Sequence, residues 1–532
     1  TDDVEVLTRG PVHEAFADPG VTPTEAAPIV PKQPPDPIEE SPPDQKPEGD
    51  NITWIPGYFT WDEDRNDFVW LSGFWRTPPP GRTWLPGSWQ QVADGWQRTP
   101  GFWAAAEQEN VQYLPPPPAP LEAAPSTPAP SADSIFTPGT WVYRDNRYLW
   151  RPGVWITYRP GWVWVPAHYV WTPVGWVFVD GYWDYPLRQR GLLFAPVYFA
   201  GRPWLRPGWF YTPRYAVYDD FLMGALFVRP GWGGYWFGDY FGAVYERRGF
   251  VAWIDIRFGR SIYDPLFGFY LRFHRDNRGW DRDLRALYAT RFNGNDLPPR
   301  TLVQQTTIIN NTNVTNIKNV TAVAPLAKID PAIVKLRPVP AEQLVRERKS
   351  VQRFRDAGVQ RNRLETQLLA KGPAPLKATD PPRTLKLDVP AVAKPITTIT
   401  PPPPPTHAAL EVKPKDAKPL DLHKSKELHT PPPPPKKDAP PPPPKKDPPP
   451  PPPKKDAPPP PPPPKKDSSP PPKKDPPPMP KKDKDKEKDK KQTASSAPTQ
   501  RREPPVTVVR KEVKSAPAHQ ASETTKAHHD KS

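Results

Sequence analysis

A small residue that recurs between aromatic residues constrains the fold of this chain more than any other feature. The small residues form two blocks of four, and within each block successive members are 14 or 16 residues apart. They are Gly57, Gly73, Gly87 and Gly101, then Gly139, Gly153, Ala167 and Gly181. An aromatic residue stands two positions after each one: Phe59, Trp75, Trp89, Trp103, Trp141, Trp155, Tyr169 and Trp183. Further aromatics stand three or five positions before most of them. Eight such units indicate a repeat architecture.

The spacing within a unit favours β structure. Aromatics five and three positions before the small residue are two apart, so they share one face of a strand. Turn sequences such as RDNR (144–147) and TPVG (172–175) separate the units. We therefore predict one strand of roughly eight to ten residues per unit, bent near its middle by a Pro-Gly step. The predicted fold class is mainly β, an aromatic-rich antiparallel meander of 14-residue repeats with a small helical cap (α+β overall), flanked by long disordered Pro-rich arms.

Composition divides the chain into unlike parts. All 22 tryptophans lie between Trp54 and Trp280, whereas many of the 90 prolines lie outside that stretch. The first of the parts predicted below is a disordered N-terminal arm. The alternative for it is that DVEVLT forms a strand that docks on the core. The predicted parts are a disordered acidic Pro-rich arm (1–50), repeat block 1 (51–114), a Pro-rich linker (115–135), repeat block 2 (136–186), an aromatic β region with two helices (187–300), an extended segment and charged helix (301–371), and a disordered Pro/Lys-rich tail (372–532).

Helical spacing begins near residue 264. Asp264 followed by Pro265 is typical of a helix N-cap and first turn. A second helix is predicted from Trp280 to Phe292, ending near Gly294. A charged helix is predicted over 341–370, with an interruption at Gly358.

The motifs WLSGFW (70–75), WLPGSW (84–89) and YLWRPGVW (148–155) resemble the WxxGxW or YxWGxW repeats of bacterial envelope proteins. The stretches EVLTRGPVHEAFADPG and LFVRPGWGGYWFGDYFGAVYERRGFVAW are similar to planctomycete-type proteins that carry this repeat. The repeat covers about residues 54–185, and the unit with Ala167 and Tyr169 departs from the motif. The resemblance implies export to the periplasm or cell envelope and brings no reaction with it.

Charge and cysteine content limit the classes of function. The chain has no cysteine, which excludes disulfides, a thiolate nucleophile and Cys-ligated zinc or iron–sulfur sites. Numbering from Thr1 leads us to expect that a signal peptide has been removed, and no transmembrane segment is predicted. The expected location is the periplasm, the envelope or outside the cell. A net charge of +15 favours an anionic partner.

The folded part offers few residues for catalysis. His168 lies at a strand position and His274 on a helix face, and both are interpreted as packed or surface histidines. HRDN (274–277) superficially resembles a kinase catalytic loop, but Asp281 stands where that loop requires Asn, and no Gly-rich loop with a strand lysine is present. Two pairs of carboxylates, Asp62 with Asp64 and Asp219 with Asp220, can be considered as a glycosidase-like pair. Such pairs are common in turns and at helix starts, so they do not indicate catalysis. We predict that the protein is not an enzyme and has no cofactor or metal.

Six KKD triplets between residues 436 and 483 alternate with proline runs in the tail. Consecutive prolines favour polyproline II helix. The predicted partner is peptidoglycan or another anionic envelope polysaccharide, contacted by Lys436, Lys445, Lys454 and their neighbours, and not nucleic acid. A solvated linker without a specific partner is the alternative, and the oligomeric state stays open.

The sequence thus predicts a non-enzymatic envelope protein in which an aromatic scaffold carries a basic tail. The alternative is a carbohydrate-binding module, because flat aromatic faces stack on sugar rings. In a repeat with few aliphatic residues, however, tryptophan is itself core material. Whether the aromatics are core or displayed stays open. The candidate ligand-binding residues are Trp75, Trp89, Trp103, Trp141, Trp155, Trp183 and Arg151.

Overall fold

The computed structural model describes residues 4–405, apart from residues 24, 50, 109, 123–124, 259–260, 263, 296–297, 299–300, 303–322, 330, 332–333, 373, 376, 378 and 387–399. Most of the predicted extended segment after residue 301 lies outside the described residues. The KKD triplets, with Lys436, Lys445 and Lys454, lie outside them as well.

The eight repeat units pair two by two into four hairpins, in which each strand is broken into two short segments at the small residue. The first segment of one unit pairs with the second segment of its partner. Four short strands precede the hairpins: β1 (Val4–Val6), β2 (Gly10–Pro11), β3 (Ile29–Val30) and β4 (Gln45–Pro47). Hairpin 1 contains β5 (Thr53–Ile55), β6 (Tyr58–Asp62), β7 (Asp67–Leu71) and β8 (Phe74–Arg76). Hairpin 2 contains β9 (Arg82–Leu85), β10 (Ser88–Val92), β11 (Gly95–Thr99) and β12 (Phe102–Ala105).

The second repeat block has the same arrangement, with β13 (Asn110–Tyr113) lying before it. Hairpin 3 contains β14 (Ser134–Thr137), β15 (Thr140–Arg144), β16 (Arg147–Arg151) and β17 (Val154–Thr157). Hairpin 4 contains β18 (Val163–Val165), β19 (His168–Thr172), β20 (Gly175–Val179) and β21 (Tyr182–Asp184). The mainly antiparallel β architecture predicted from the sequence is confirmed. The units form separate pairs instead of one continuous meander, because no ladder among the described strands joins one hairpin to another.

Further strands and helices follow the repeats. The strands are β22 (Gly191–Phe194), β23 (Val197–Phe199), β24 (Tyr215–Val217), β25 (Leu226–Val228), β26 (Tyr235–Phe237), β27 (Val251–Ala252), β28 (Arg257–Phe258), β29 (Ser261–Ile262), β30 (Val323–Pro325), β31 (Leu336–Pro338) and β32 (Arg383–Lys386). The helices are α1 (Leu187–Arg190), α2 (Asp219–Gly224), α3 (Ala243–Arg247), α4 (Pro265–Phe273), α5 (Trp280–Phe292) and α6 (Ala341–Ala370). Short 3-10 turns occupy Pro203–Leu205, Trp253–Asp255 and Leu326–Lys328.

These strands join the hairpins to the rest of the fold. A five-stranded sheet has the order β30-β24-β22-β8-β5, and a four-stranded sheet has the order β1-β23-β7-β6. Hairpin 1 contributes to both sheets, so its break at the small residues is where one sheet gives way to the other. The main core contains residues from hairpins 1, 2 and 4 together with α2, α4 and α5.

Both predicted helices near residues 264–294 are confirmed. The side chain of Asp264 caps α4 by accepting the N–H of Phe267 at 2.8 Å, and α5 spans Trp280–Phe292 as expected. The predicted interruption at Gly358 is wrong, since α6 runs through that residue. Gly358 instead lies close to hairpin 2, where an added Cβ would be 3.6 Å from Cβ of Pro86.

The prediction of a disordered N-terminal arm is wrong for residues 4–23 and 25–49. β1 pairs with β23, and β2 with β26, as the alternative of a docked strand at DVEVLT anticipated for β1. Ala15 and Phe16 are buried in the main core. Two arginines hold them there, because Arg76 donates to the Ala15 carbonyl and Arg190 to the Phe16 carbonyl. Both arginines also pair with the buried Asp184, which ends hairpin 4.

The start of the predicted tail also joins the fold. β32 pairs along its length with β13, and Leu385 is buried. The prediction that residues from 372 onward bury no core is therefore wrong for this strand. The strand was missed because the surrounding sequence is rich in proline, although the short run Arg383–Lys386 contains none.

Candidate functional site

The two small residues of a hairpin lie against each other where the strands break. A Cβ built on Gly57 would lie 2.8 Å from the backbone N of Gly73, and one on Gly87 would lie 2.7 Å from that of Gly101. In hairpin 3, a Cβ on Gly139 would lie 2.9 Å from the N of Gly153. Glycine is needed here because the two backbones approach too closely to admit a side chain.

A carboxylate from outside the repeats binds the backbone N–H groups of these glycine pairs. Glu40 accepts the N–H of Gly57 at 2.9 Å, that of Gly73 at 2.9 Å, and the indole N–H of Trp70 at 3.0 Å. When the carboxylate is ionised, its hydrogen bonds from these converging backbone N–H groups are charge-assisted. It satisfies amides that the broken ladder leaves unpaired.

Hairpin 3 has the same arrangement, and in hairpin 2 a glutamate binds one of the two glycines. Glu122 accepts the N–H of Gly153 at 3.0 Å and that of Gly139 at 3.3 Å. Glu14 accepts the N–H of Gly101 at 2.9 Å. In hairpin 4, Gly181 donates instead to the neighbouring Asp180. The sequence analysis missed the three glutamates, which carry no shared local signal: Glu122 is a lone acid among proline and alanine, whereas Glu40 stands among other acidic residues.

Burial changes the protonation of the first of these carboxylates. Burial raises the pKa of Glu40 to about 7, although the hydrogen bonds from Trp70, Gly57 and Gly73 oppose the shift. The side chain is 4% exposed. Glu40 therefore carries its negative charge in the folded protein only at and above neutral pH.

The aromatics of paired units meet across the strands. The residue three positions before one small residue faces the residue two positions after its partner. The ring centroids of these pairs are 5.0–5.3 Å apart, in edge-to-face or tilted geometry that aromatic quadrupoles favour. The pairs are Trp54–Trp75, Phe59–Trp70, Trp84–Trp103, Phe136–Trp155, Trp141–Trp150, Trp164–Trp183 and Tyr169–Phe178.

Each tryptophan two positions after one of the repeat's small residues, here called a repeat tryptophan, donates its indole N–H to a backbone carbonyl of the chain. The pairs are Trp75 to Gln45, Trp89 to Phe59, Trp103 to Ala15, Trp141 to Ala119, Trp155 to Thr127 and Trp183 to Pro403. Tyr169 keeps this role in the divergent unit, because its hydroxyl donates to the Trp141 carbonyl at 2.8 Å. Gln45, Ala119, Thr127 and Pro403 all lie in Pro-rich segments, which lack internal backbone hydrogen bonds.

The seven candidate ligand-binding residues are spread over the four hairpins and do not form one site. Trp89 and Trp155 are half-buried. The other four tryptophans are buried: Trp75, Trp103, Trp141 and Trp183. Arg151 pairs with Asp180 at 3.1 Å and lies 5.7 Å from the ring centre of Phe178.

Aromatic residues line a separate cleft of about 200 Å³ where hairpin 1 faces the β25–β27 region. Trp89 is the one candidate residue that lines it. The side chains that define this aromatic cleft are Trp61, Trp89, Trp232, Trp236, Tyr240 and Tyr245.

A carboxylate with three donors lies at one side of the aromatic cleft. Asp64 accepts hydrogen bonds from Arg9 at 2.6 Å, Tyr245 at 2.8 Å and Arg248 at 2.7 Å. Partial burial alone would raise the pKa of Asp64, but these donors and the charge of Arg9 lower it. Asp64 is therefore an ionised acceptor with its oxygens engaged, and Asp62 lines the same cleft.

The two histidines considered for catalysis have structural contacts. His168 is buried, with Nε2 3.0 Å from Asp18 and Nδ1 3.0 Å from the Pro166 carbonyl. Burial alone would lower its pKa, but the Asp18 carboxylate raises it. His274 stacks on Trp280 with 4.6 Å between ring centres. The side chains of Asp219 and Asp220 lie outside what the structure describes.

Within the described part of the chain, no group of three His, Asp or Glu side chains could hold a metal ion. None of the helices described there combines the length and the apolar character needed to cross a bilayer.

Comparison with known families agrees with this geometry. The WXXGXW repeat model matches residues 53–76, 135–155 and 159–183, so the chain carries repeats of this family. The matched residues fall in hairpins 1, 3 and 4. No curated protein and no solved structure matches the chain.

Proposed function

We propose that this chain is a non-enzymatic structural and interaction protein of the bacterial cell envelope. Its hairpins act as a scaffold, and its Pro/Lys-rich tail contacts an anionic envelope polymer. The observation that carries the proposal is that every repeat tryptophan donates its indole N–H to the chain's own backbone. The repeat aromatics thus hold proline-rich segments of this protein in place.

The distribution of charge supports a contact through the tail. Residues 406–532 carry +12 of the net charge of +15, so residues 1–405 are nearly neutral. Lysines on an extended chain attract anionic polymer through long-range forces that salt screens. The predicted contacts are Lys436, Lys445, Lys454 and the other KKD lysines.

Binding of the full chain to peptidoglycan and to an acidic polysaccharide across a salt series tests this contact. Replacing the twelve KKD lysines with glutamine is expected to abolish binding at low salt. Replacing the six KKD aspartates with asparagine in the same triplets is the matched control and should strengthen binding. Retention of the lysine-free variant on the polymer would contradict the proposal.

Location in the envelope is part of the proposal and has its own test. Immunodetection in fractionated cells of the producing bacterium is expected to find the protein in the envelope or the medium. Recovery in the cytoplasmic fraction would contradict export.

The aromatic cleft supports a second candidate, a carbohydrate-binding function. Half-buried rings such as Trp61 and Trp232 offer stacking faces for sugar rings. Calorimetric titration of the full chain with peptidoglycan-derived oligosaccharides tests it. Trp232→Ala should weaken binding at least tenfold, whereas Trp162→Ala, a half-buried tryptophan in hairpin 4 outside the cleft, should not. Equal effects of the two substitutions would contradict a site in the cleft.

A further inference from the structure

The repeat tryptophan of hairpin 4 contacts a pure proline run. Trp183 donates its indole N–H to the carbonyl of Pro403 at 3.3 Å, within residues 401–405, which are all proline. Pro401, Pro402 and Pro405 are half-buried. Trp183 itself is 8% exposed and packs with Ile156 and Trp164. The segment therefore lies against an aromatic cluster.

This contact has the chemistry of polyproline recognition. A polyproline II segment has no internal hydrogen bonds and no proline N–H, so its carbonyls are free to accept from a partner. Aromatic-lined grooves bind such segments at low entropic cost because the helix is preformed. Hairpin 3 uses the same donor on Pro-rich backbone, with Trp141 bound to Ala119 and Trp155 to Thr127.

The hexapeptide at this site occurs a second time in the chain. Residues 400–405 read TPPPPP, and residues 430–435 read TPPPPP as well, immediately before Lys436. A surface that recognises the first copy through its carbonyls has no chemical basis for rejecting the second.

We propose that Trp183 and its neighbours form a polyproline-binding site for which residues 430–435 are an alternative occupant, exchanging with residues 400–405. The exchange advances the docked register by thirty residues. When residues 430–435 are bound, Lys436 directly follows the docked segment. The site thereby selects which stretch of the chain is held at Trp183.

The two occupants differ in tether length and not in contact chemistry. Thirteen residues separate the end of β32 from Thr400, and forty-three separate it from Thr430. With the tail disordered, as the sequence predicts, closure probability falls as the 3/2 power of tether length, so residues 400–405 are favoured by about sixfold.

Spin-label distances in the full chain test the exchange, and the absence of cysteine makes labelling selective. One label is placed at Thr157→Cys, an exposed residue that lines the same small cavity as Trp183. The second is placed at Thr406→Cys or, in a separate sample, at Lys436→Cys. The short-distance fraction is expected to be about six times larger for position 406 than for position 436.

Replacing Pro401–Pro405 with serine should raise the short-distance fraction at position 436 from about one seventh of the molecules to nearly all of them, about sevenfold. No increase at position 436 would overturn the proposal. Trp183→Phe keeps the ring pair with Trp164 but removes the donor, so both short-distance fractions should fall while the thermal transition stays cooperative. Persistence of either fraction in that variant would overturn the assignment of the site to the indole.

Dilution with unlabelled protein separates this proposal from binding between copies. Distances that are unchanged on dilution support exchange within one chain, whereas loss of the short distances would show that a second copy is the occupant and would overturn it. Added acetyl-hexaproline amide should displace both labels, and a Gly-Ser peptide of equal length should displace neither. Failure of hexaproline to displace them would overturn recognition of polyproline.

Discussion

The indole of Trp150 lies where a side chain on Gly139 would stand: a methyl group there would come within 2.5 Å of Cζ2 of the ring. Equivalent contacts join Trp84 to Gly101 at 2.4 Å and Trp164 to Gly181 at 2.4 Å. In each case the glycine of one unit leaves room for the tryptophan that stands three positions before the small residue of the paired unit. Each unit therefore supplies a ring and the space for its partner's ring, which explains the fixed spacing of the motif.

Gly139→Ala is expected to destabilise the fold by about 1–3 kcal/mol, because the Trp150 ring and the facing backbone of Gly153 are both too close to accept a methyl group. Urea unfolding followed by circular dichroism measures the change. Gly358→Ala is the matched control, since its nearest contact would be an ordinary 3.6 Å. Helix propensity should make that variant more stable by up to about 1 kcal/mol. Equal losses for both variants would argue against the packing explanation.

Glu40→Gln should change how stability depends on pH. Burial raises the pKa of Glu40 to about 7, so between pH 4.5 and 7 the folded state binds a proton that the unfolded state has released. The wild type should therefore lose stability relative to the variant as pH rises through this range, by about 1.4 kcal/mol per pH unit. Unfolding free energies measured at several pH values test this. Glu246→Gln on the exposed face of α3 is the control, and parallel curves for wild type and Glu40→Gln would contradict the prediction.

His13 should produce the opposite slope. Burial lowers the pKa of His13 to about 3, and the neutral ring donates to the Pro56 carbonyl while accepting the Ala15 N–H. The unfolded state takes up a proton below pH 6.5 that the folded state refuses, so stability should fall as pH drops from 6.5 towards 3, by about 1.4 kcal/mol per pH unit. In His13→Gln this loss should be absent. Acid-unfolding midpoints of the two proteins provide the measurement, and coincident midpoints would refute it.

The buried pair Arg361–Glu365 fixes α6 to hairpin 2. Glu365 accepts from Arg361 at 2.8 Å, from Gln90 at 2.8 Å and from Tyr113 at 2.6 Å, and both charged residues are 0% exposed. Glu365→Leu should destabilise the protein by about 3–5 kcal/mol, because it leaves the Arg361 charge buried and unpaired.

The double variant Arg361→Met with Glu365→Leu should lose less stability than Glu365→Leu alone, since no lone charge remains. Chemical denaturation of the two single variants and the double variant gives the coupling energy. Additive losses would show that the pair does not act as a unit.

The repeat could be predicted from the sequence because its period is local. Antiparallel pairing places position minus three of one unit opposite position plus two of the next, so the aromatic pairs follow from the spacing once two units form a hairpin. The two helices after residue 264 were likewise foreseen from an N-cap and a helical period. Each of these signals lies within one repeat unit or one helix.

The N-terminal arm, the glutamate contacts and β32 could not be predicted, because they depend on long-range partners. Proline and acidic residues around Glu40 are typical of disorder when considered alone. Two unpaired glycine amides and an indole N–H, from residues 17 to 33 positions away, give that carboxylate its place. Pro403 similarly gains its contact from an indole 220 positions away.

The sequence by itself determined the eight repeat units, the β class and the division of the chain into an aromatic repeat region and a basic proline-rich tail. Only the tertiary structure decided that the repeat tryptophans are donors to the chain's own backbone, four of them to proline-rich segments. The physical reason is that proline-rich segments and broken strands each leave polar backbone groups without local partners. Such groups are paired by whichever donors and acceptors the assembled fold brings to them, and local sequence does not encode that choice.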